Sequence, residues 1–153
     1  VKAVKAGSTS ITFRNKLDAS KTAAYNVSVT GILYEGEPVW KYYGLYIAPR
    51  NAASNMQWNS SLNNSYCANK EGGTWHVPSR DEWRTILGNS DSATESVWKE
   101  YLNKRIFANE YYWSTTDAGS GKAYAMFRLM AGEMSVDVLE KNYLSGAVRC
   151  IAR

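Results

Sequence analysis

Trp75-His76-Val77-Pro78-Ser79-Arg80-Asp81-Glu82-Trp83 is the stretch on which the reading of this chain turns. Ser79 and Glu82 stand three apart, so each side chain can satisfy a backbone N–H that the first turn of a helix leaves free. Pro78 lies just before the cap, and Trp83, Ile86 and Leu87 make an i, i+3, i+4 apolar face closed by Gly88. A helix with one buried stripe is predicted there. Downstream, Ser92 and Glu95 repeat the capping signal, predicting a helix that buries Val97, Trp98, Tyr101 and Leu102 and pairs Glu95 with Lys99 on its exposed side. Upstream, Leu62 and Tyr66 are four apart with Cys67 beside them, which predicts a helix over Ser60 to Asn69 ended by Gly72-Gly73.

Away from this helical centre the period falls to two. Ala123, Ala125, Phe127 and Leu129 face one way, and Tyr124, Met126, Arg128 and Met130 the other. Ala131-Gly132-Glu133 turns this strand into a partner containing Met134, Val136 and Val138, and Ala147 to Ala152 reads as a closing strand. Val39 to Ile47, dense in aromatic and β-branched residues, reads as one buried strand after a turn at Glu35-Gly36-Glu37-Pro38. Tyr25, Val27 and Val29 alternate with polar residues and continue past Gly31 into Ile32-Leu33-Tyr34, while Val1 to Thr22 reads as a linker or a strand borrowed from a neighbour.

At 153 residues the chain holds one principal core. The division expected is residues 1–34 as an N-terminal linker and strand segment or the end of a preceding β domain, and 35–153 as the main domain. Hydrophobic residues at 44% and charged residues at 21% fit a folded globular chain and exclude general disorder. The net charge of +4 favours acidic partners weakly. Lys and Arg are scattered, with no block of five or six, so no nucleic-acid partner is expected. No apolar run is long enough for a transmembrane segment, and a chain starting at Val1 without a leader is expected to be a mature product or an excised fragment.

The order of Tyr66-Cys67-Ala68-Asn69-Lys70-Glu71-Gly72-Gly73, Trp75-His76-Val77-Pro78-Ser79, Tyr112-Trp113-Ser114-Thr115-Thr116 and Val148-Arg149-Cys150 resembles bacterial surface-protein domains of C-type-lectin-like fold, similar to the C-terminal domain of the Legionella collagen-like adhesin. That family has Trp-Arg-Leu-Pro-Thr before a helix, Tyr-Trp-Ser-Ser-Thr on a central strand and a final Val-Arg-Cys. His76, Val77, Ser79 and Thr115 depart from those patterns. The similar region runs from Gly44-Leu45-Tyr46-Ile47-Ala48-Pro49 to Arg153. The resemblance implies an α+β, C-type-lectin-like fold, a mostly antiparallel sheet with two or three helices packed beside it.

By spacing alone, Cys67 and Cys150 are too far apart for a local redox or zinc motif and are either a pair or two buried thiols. The resemblance implies that they form the disulfide closing a lectin-like domain, with a contribution of roughly 4 to 5 kcal/mol by chain-entropy reasoning and an oxidising compartment.

The signs of catalysis are sparse. His76 is the single histidine, which excludes a metal site built on imidazoles, and a structural role is expected for it. Asp81, Glu82, Asp117, Asp137 and Glu140 do not form a recognisable acid/base pair. The Glu-Pro-Asn or Gln-Pro-Asp loop and Trp-Asn-Asp strand of calcium-dependent lectins are missing, so no metal or cofactor is expected. Trp75 to Trp83 loosely resembles a segment of formylglycine-generating enzymes, without a counterpart to their reactive cysteine pair. Asn-x-Ser sequons at Asn26, Asn59 and Asn63 would matter only in a eukaryotic secretory host.

The expected function is therefore non-catalytic binding or adhesion by a bacterial extracellular, cell-surface or fimbrial protein, to a glycan or protein ligand on a host or microbial surface. Other fimbrial or surface domains are expected to attach through the N-terminal segment. Alternatives are a diversified receptor-binding protein of a retroelement system, a formylglycine-generating-enzyme-like protein and a structural fimbrial subunit. The resemblance places recognition on the later strands, where Tyr111, Tyr112, Lys122, Tyr124, Arg128, Met130 and Tyr143 offer rings and cations for contact. Trp113 is expected in the core. The competing expectation is that the Tyr124, Met126, Arg128, Met130 face packs against the N-terminal segment or a neighbouring domain.

Overall fold

A computed structural model describes residues 7–29, 31–61, 65–129 and 132–153. Leu62 and Met130, both named above, lie outside these residues. The chain is α+β with mostly antiparallel sheets. Its strands are β1 Gly7–Arg14, β2 Thr22–Val29, β3 Leu33–Tyr34, β4 Glu37–Pro38, β5 Trp40–Tyr42, β6 Leu45–Ile47, β7 Ala53–Met56, β8 Tyr111–Gly119, β9 Lys122–Arg128, β10 Met134–Glu140, β11 Gly146–Val148 and β12 Ile151–Ala152. The helices are α1 Trp58–Ser61, α2 Ser65–Ala68, α3 Arg80–Ile86 and α4 Glu95–Asn103.

The central sheet runs β10-β9-β8-β11-β7 and is antiparallel except where β11 lies parallel to β8. A second sheet, β12-β6-β5, stands beside it. The closing strand expected over 147–152 is thus two strands in two sheets, broken at Arg149-Cys150. The single strand expected over 39–47 is the hairpin β5–β6. Its turn falls at Tyr43 and Gly44, both with positive φ (47° and 85°), the backbone shape that a two-residue hairpin loop demands.

The helix that opened the reading forms as expected. Ser79 Oγ accepts from the Glu82 N–H at 3.2 Å, and Glu82 Oε2 accepts from the Ser79 N–H at 2.9 Å. Trp83 and Ile86 are fully buried. The next helix differs by a step: its N-cap is Thr94, without a side-chain capping bond, because Ser92 is drawn into a β-bridge with Ser135. Glu95 and Lys99 do pair.

Three apolar groups hold the body together. One lies between α3, α4, the β5–β6 hairpin and the inner face of the central sheet, around Trp83, Tyr101, Phe107, Tyr112 and Met126. Two of its buried rings have their polar tips satisfied: Trp83 Nε1 donates to Trp113 O at 3.2 Å, and the Tyr101 hydroxyl to Ile86 O at 2.5 Å. A second surrounds the Cys67–Cys150 disulfide with Tyr34, Trp75, Val77 and Val148. That bridge joins α2 to the segment between β11 and β12. The third covers the outer face of the sheet, where Trp113 packs with Trp58, Ala123 and Ala125. Gly146 is obligatory there, since a Cβ would overlap the Trp113 indole, which donates to Met56 O at 2.7 Å.

At the other end of the chain, β1 and β2 pair with each other as a two-stranded ribbon within the stretch read as a linker or a borrowed strand. Ile11, Phe13, Tyr25 and Val27 share one face by register, and Ser8, Ser10, Asn26 and Ser28 the other. Phe13 is 56% and Tyr25 68% exposed.

Candidate functional site

The outer face of the central sheet is only partly covered by Trp58. Beyond it, Tyr111 of β8 lies opposite Phe127 of β9, their rings 5.5 Å apart, and Tyr143 from the segment before β11 meets Tyr111 edge-on at 5.1 Å. Tyr111 and Phe127 border a shallow hollow of about 170 Å³ with Ala125 beneath and Asp137, Val138 and Leu139 of β10 along its side, and Tyr143 supports Tyr111. Ala125 faces Asp137 across the β9–β10 ladder, so the small side chain makes the depression and the carboxylate edges it. Asp137 and Leu139 share the face of Ala125, while Val138, opposite Tyr124, belongs by register to the other face. Half-buried rings, aliphatic walls and one carboxylate suit stacking and hydrogen bonding to a bound surface.

Of the residues expected to recognise a ligand, Tyr111 and Tyr143 meet beside this hollow. Lys122 stands at the far end of β9, near Glu140 at 3.7 Å. Tyr112 is corrected out of the set: it has no exposed surface, packs on Trp83 and Phe107, and accepts from the Ala108 N–H at 2.8 Å. Tyr124 also turns inward, against the helical core and under the Arg80 guanidinium at 4.4 Å. On this face Tyr124 and Met126 pack against the helical core of the domain itself. Arg128 reaches the end of the sheet and donates through Nη1 to Phe107 O at 2.6 Å.

Sequence reasoning missed Phe127, Asp137 and Leu139. The alternation already put Phe127 on the face opposite Tyr124, so the signal was present; which face was open was not. It also missed Arg149, read only as part of a landmark. That guanidinium is 4% exposed, donating to Asn51 Oδ1, Ala48 O and Ile106 O at 2.8–2.9 Å, with the Phe107 and Tyr112 rings 5.5 and 5.4 Å away. Burial lowers its proton affinity, and the neighbouring Tyr112 and Glu110 partly restore it.

The groups with strongly shifted proton affinity lie away from the hollow. Burial raises Tyr34 to about 12 beside the disulfide and raises Tyr101 in the core. At the α3 cap, burial would raise Glu82, but hydrogen bonds from His76 and Ser79 outweigh it and hold the carboxyl at about 2. His76 Nε2 lies 2.9 Å from Glu82 Oε1, and that bond raises the imidazole. Arg153 joins Glu82 at 3.1 Å, so this charged cluster ties the chain's last residue to the helix start. Among the described residues no three His, Cys, Asp or Glu side chains gather to hold a metal ion, no thiol is free, and no helix is long and apolar enough to cross a membrane.

No protein-family model and no curated protein matches the chain.

Proposed function

We propose that this is a non-catalytic binding module of C-type-lectin-like fold, belonging to a bacterial surface or fimbrial protein, which holds a glycan or protein ligand on the outer face of its central sheet. The observation that carries the reading is the hollow bordered by the Tyr111 and Phe127 rings, with Tyr143 packed on Tyr111 and Asp137 at the edge. Solvent-facing rings backed by a rigid sheet are the residues on which binding energy concentrates. The long-range disulfide favours the lectin-like assignment and a location outside the reducing cytoplasm. The acid and base groups of shifted affinity have structural partners, which favours holding over transforming.

A second reading, a structural fimbrial subunit, is favoured by the β1–β2 ribbon. Its two unpaired edges and apolar face are suited to strand addition by another subunit.

A glycan and extracellular-matrix array probed with the wild type and with Tyr111→Ala tests the first reading. A retained ligand whose binding falls by about tenfold or more, at unchanged melting temperature, supports it. Binding indifferent to Tyr111→Ala, or chemical conversion of the ligand, contradicts it.

A further inference from the structure

A second concave surface lies at the junction of α4, the segment entering β8 and the end of β9: a cleft of about 600 Å³ whose walls include Arg50, Arg105, Arg128 and Arg149. Arg50 is neutralised by Glu35 and Glu37. The other three have no carboxylate within ion-pair distance among the described residues. Arg149 is held rigid at the base by carbonyls and ring faces. Arg128 keeps a buried Nε without any partner, an orphaned donor at the cleft wall. Arg105 sits in a left-handed backbone conformation, φ 52°, that places an exposed cation at the rim. Glu110 is nearby but accepts from Asn51 Nδ2 at 2.6 Å, in the same contact that turns Asn51 Oδ1 toward Arg149.

We propose that this cleft binds a peptide carboxylate flanked by an apolar side chain, on an acidic segment of a protein partner. Guanidinium forks match a planar carboxylate with two parallel hydrogen bonds, and a concave site where Arg105, Arg128 and Arg149 outnumber the nearby Glu110 raises the local concentration of anions. The remaining wall is mostly apolar, Pro49, Leu102, Ile106, Phe107 and Ala108, with Asn51 its one polar side chain. An acidic sugar fits less well, because its hydroxyls need acceptors as well as donors. The carbonyls of Ala48, Ile106 and Phe107 and the Asn51 amide oxygen each already accept from Arg149 or Arg128, which leaves donors in excess of acceptors in the cleft. The carboxylate can come from a chain end or from an Asp or Glu side chain.

The proposal rests on the reading of the chain as a binding module and names a partner class for it. The test is calorimetric titration of the full chain with three short acetylated peptides. One ends in leucine as the free acid, one is the same peptide as the C-terminal amide, and one is an amide with an internal aspartate beside the leucine. Saturable, salt-sensitive binding of the free acid identifies a terminal carboxylate, and of the aspartate peptide a side-chain carboxylate; the plain amide should not bind. Arg105→Gln, at the exposed rim, and Arg128→Gln should each weaken binding at least about tenfold, with Lys99→Gln unchanged. Arg105→Gln keeps the test valid if Arg128→Gln unfolds. No binding of either acid, equal binding of the plain amide, indifference to Arg105→Gln, or tighter binding of a uronate disaccharide would overturn the proposal. Tyr111→Ala separates the two readings: if it abolishes array binding while the peptides fail, only the cleft assignment falls.

Discussion

The hairpins β1–β2 and β9–β10 are written in the same alternating code and end in opposite circumstances. In β9, Ala125 and Met126 lie on opposite faces and both are buried, one under Trp113 and the other under α3. In β1 and β2, Phe13 and Tyr25 stack edge-on at 6.2 Å and remain more than half exposed. Backbone pairing is complete in both, with an unbroken register from Gly7–Val29 to Arg14–Thr22 and from Met134–Arg128 to Glu140–Lys122. The difference is tertiary cover, and a ribbon of two strands without it is marginal in water. Alternation encodes which residues share a face; it does not encode what lies over that face.

The contrast can be broken most forcefully at the disulfide. Replacing Cys67 and Cys150 together by Ala should cost the body about 4 to 5 kcal/mol in denaturant unfolding followed by tryptophan fluorescence, while amide exchange in 7–29 stays as it was. Trp113→Ala should cost about 3 to 5 kcal/mol, through the lost indole and the unpaired Met56 carbonyl. Gly146→Ala, which presses a methyl into the same indole, should cost about 1 to 3 kcal/mol.

A smaller effect separates the α3 cap from both hairpins. His76 is raised above its ordinary 6.5, so its contribution is full below that pH and fades as pH rises through the higher folded value. Glu82, at about 2 against an ordinary 4.5, contributes above 4.5 and loses this as pH falls toward 2. The pair therefore supports the fold most between about pH 4.5 and 6.5. His76→Gln should flatten the alkaline side of the pH–stability curve by about 1 kcal/mol or less. Smallest of all, Phe13→Ser in the ribbon should shift global stability by under about 0.5 kcal/mol, since it uncovers nothing.

The sequence was most legible where local chemistry and tertiary need agree. Ser79 and Glu82 announce the α3 cap, and the alternation from Ala123 to Arg128 announces β9, because caps and pleats depend on near neighbours. Legibility failed where a distant partner decides. Ser92 carries a better cap signal than Thr94, yet its backbone is claimed by Ser135. The β5–β6 turn was hidden by Tyr43, whose side chain is not a turn former, although Gly44 marked the place. The site suffered most: Tyr112 and Tyr124 are as aromatic as Tyr111, and only the packing of α3 on one side of the sheet takes them out of reach. Arg149 could be seen as a landmark, but its three carbonyl and amide partners come from segments far apart in the chain.

The central claim is that recognition belongs to the covered, disulfide-tied body and not to the bare ribbon. Amide chemical-shift mapping of the full chain with a ligand retained from the array tests it most directly. The account predicts perturbations clustered at Tyr111, Phe127, Asp137, Leu139 and Tyr143, with residues 7–29 silent. Perturbations confined to the ribbon, leaving the sheet face unmoved, would contradict it.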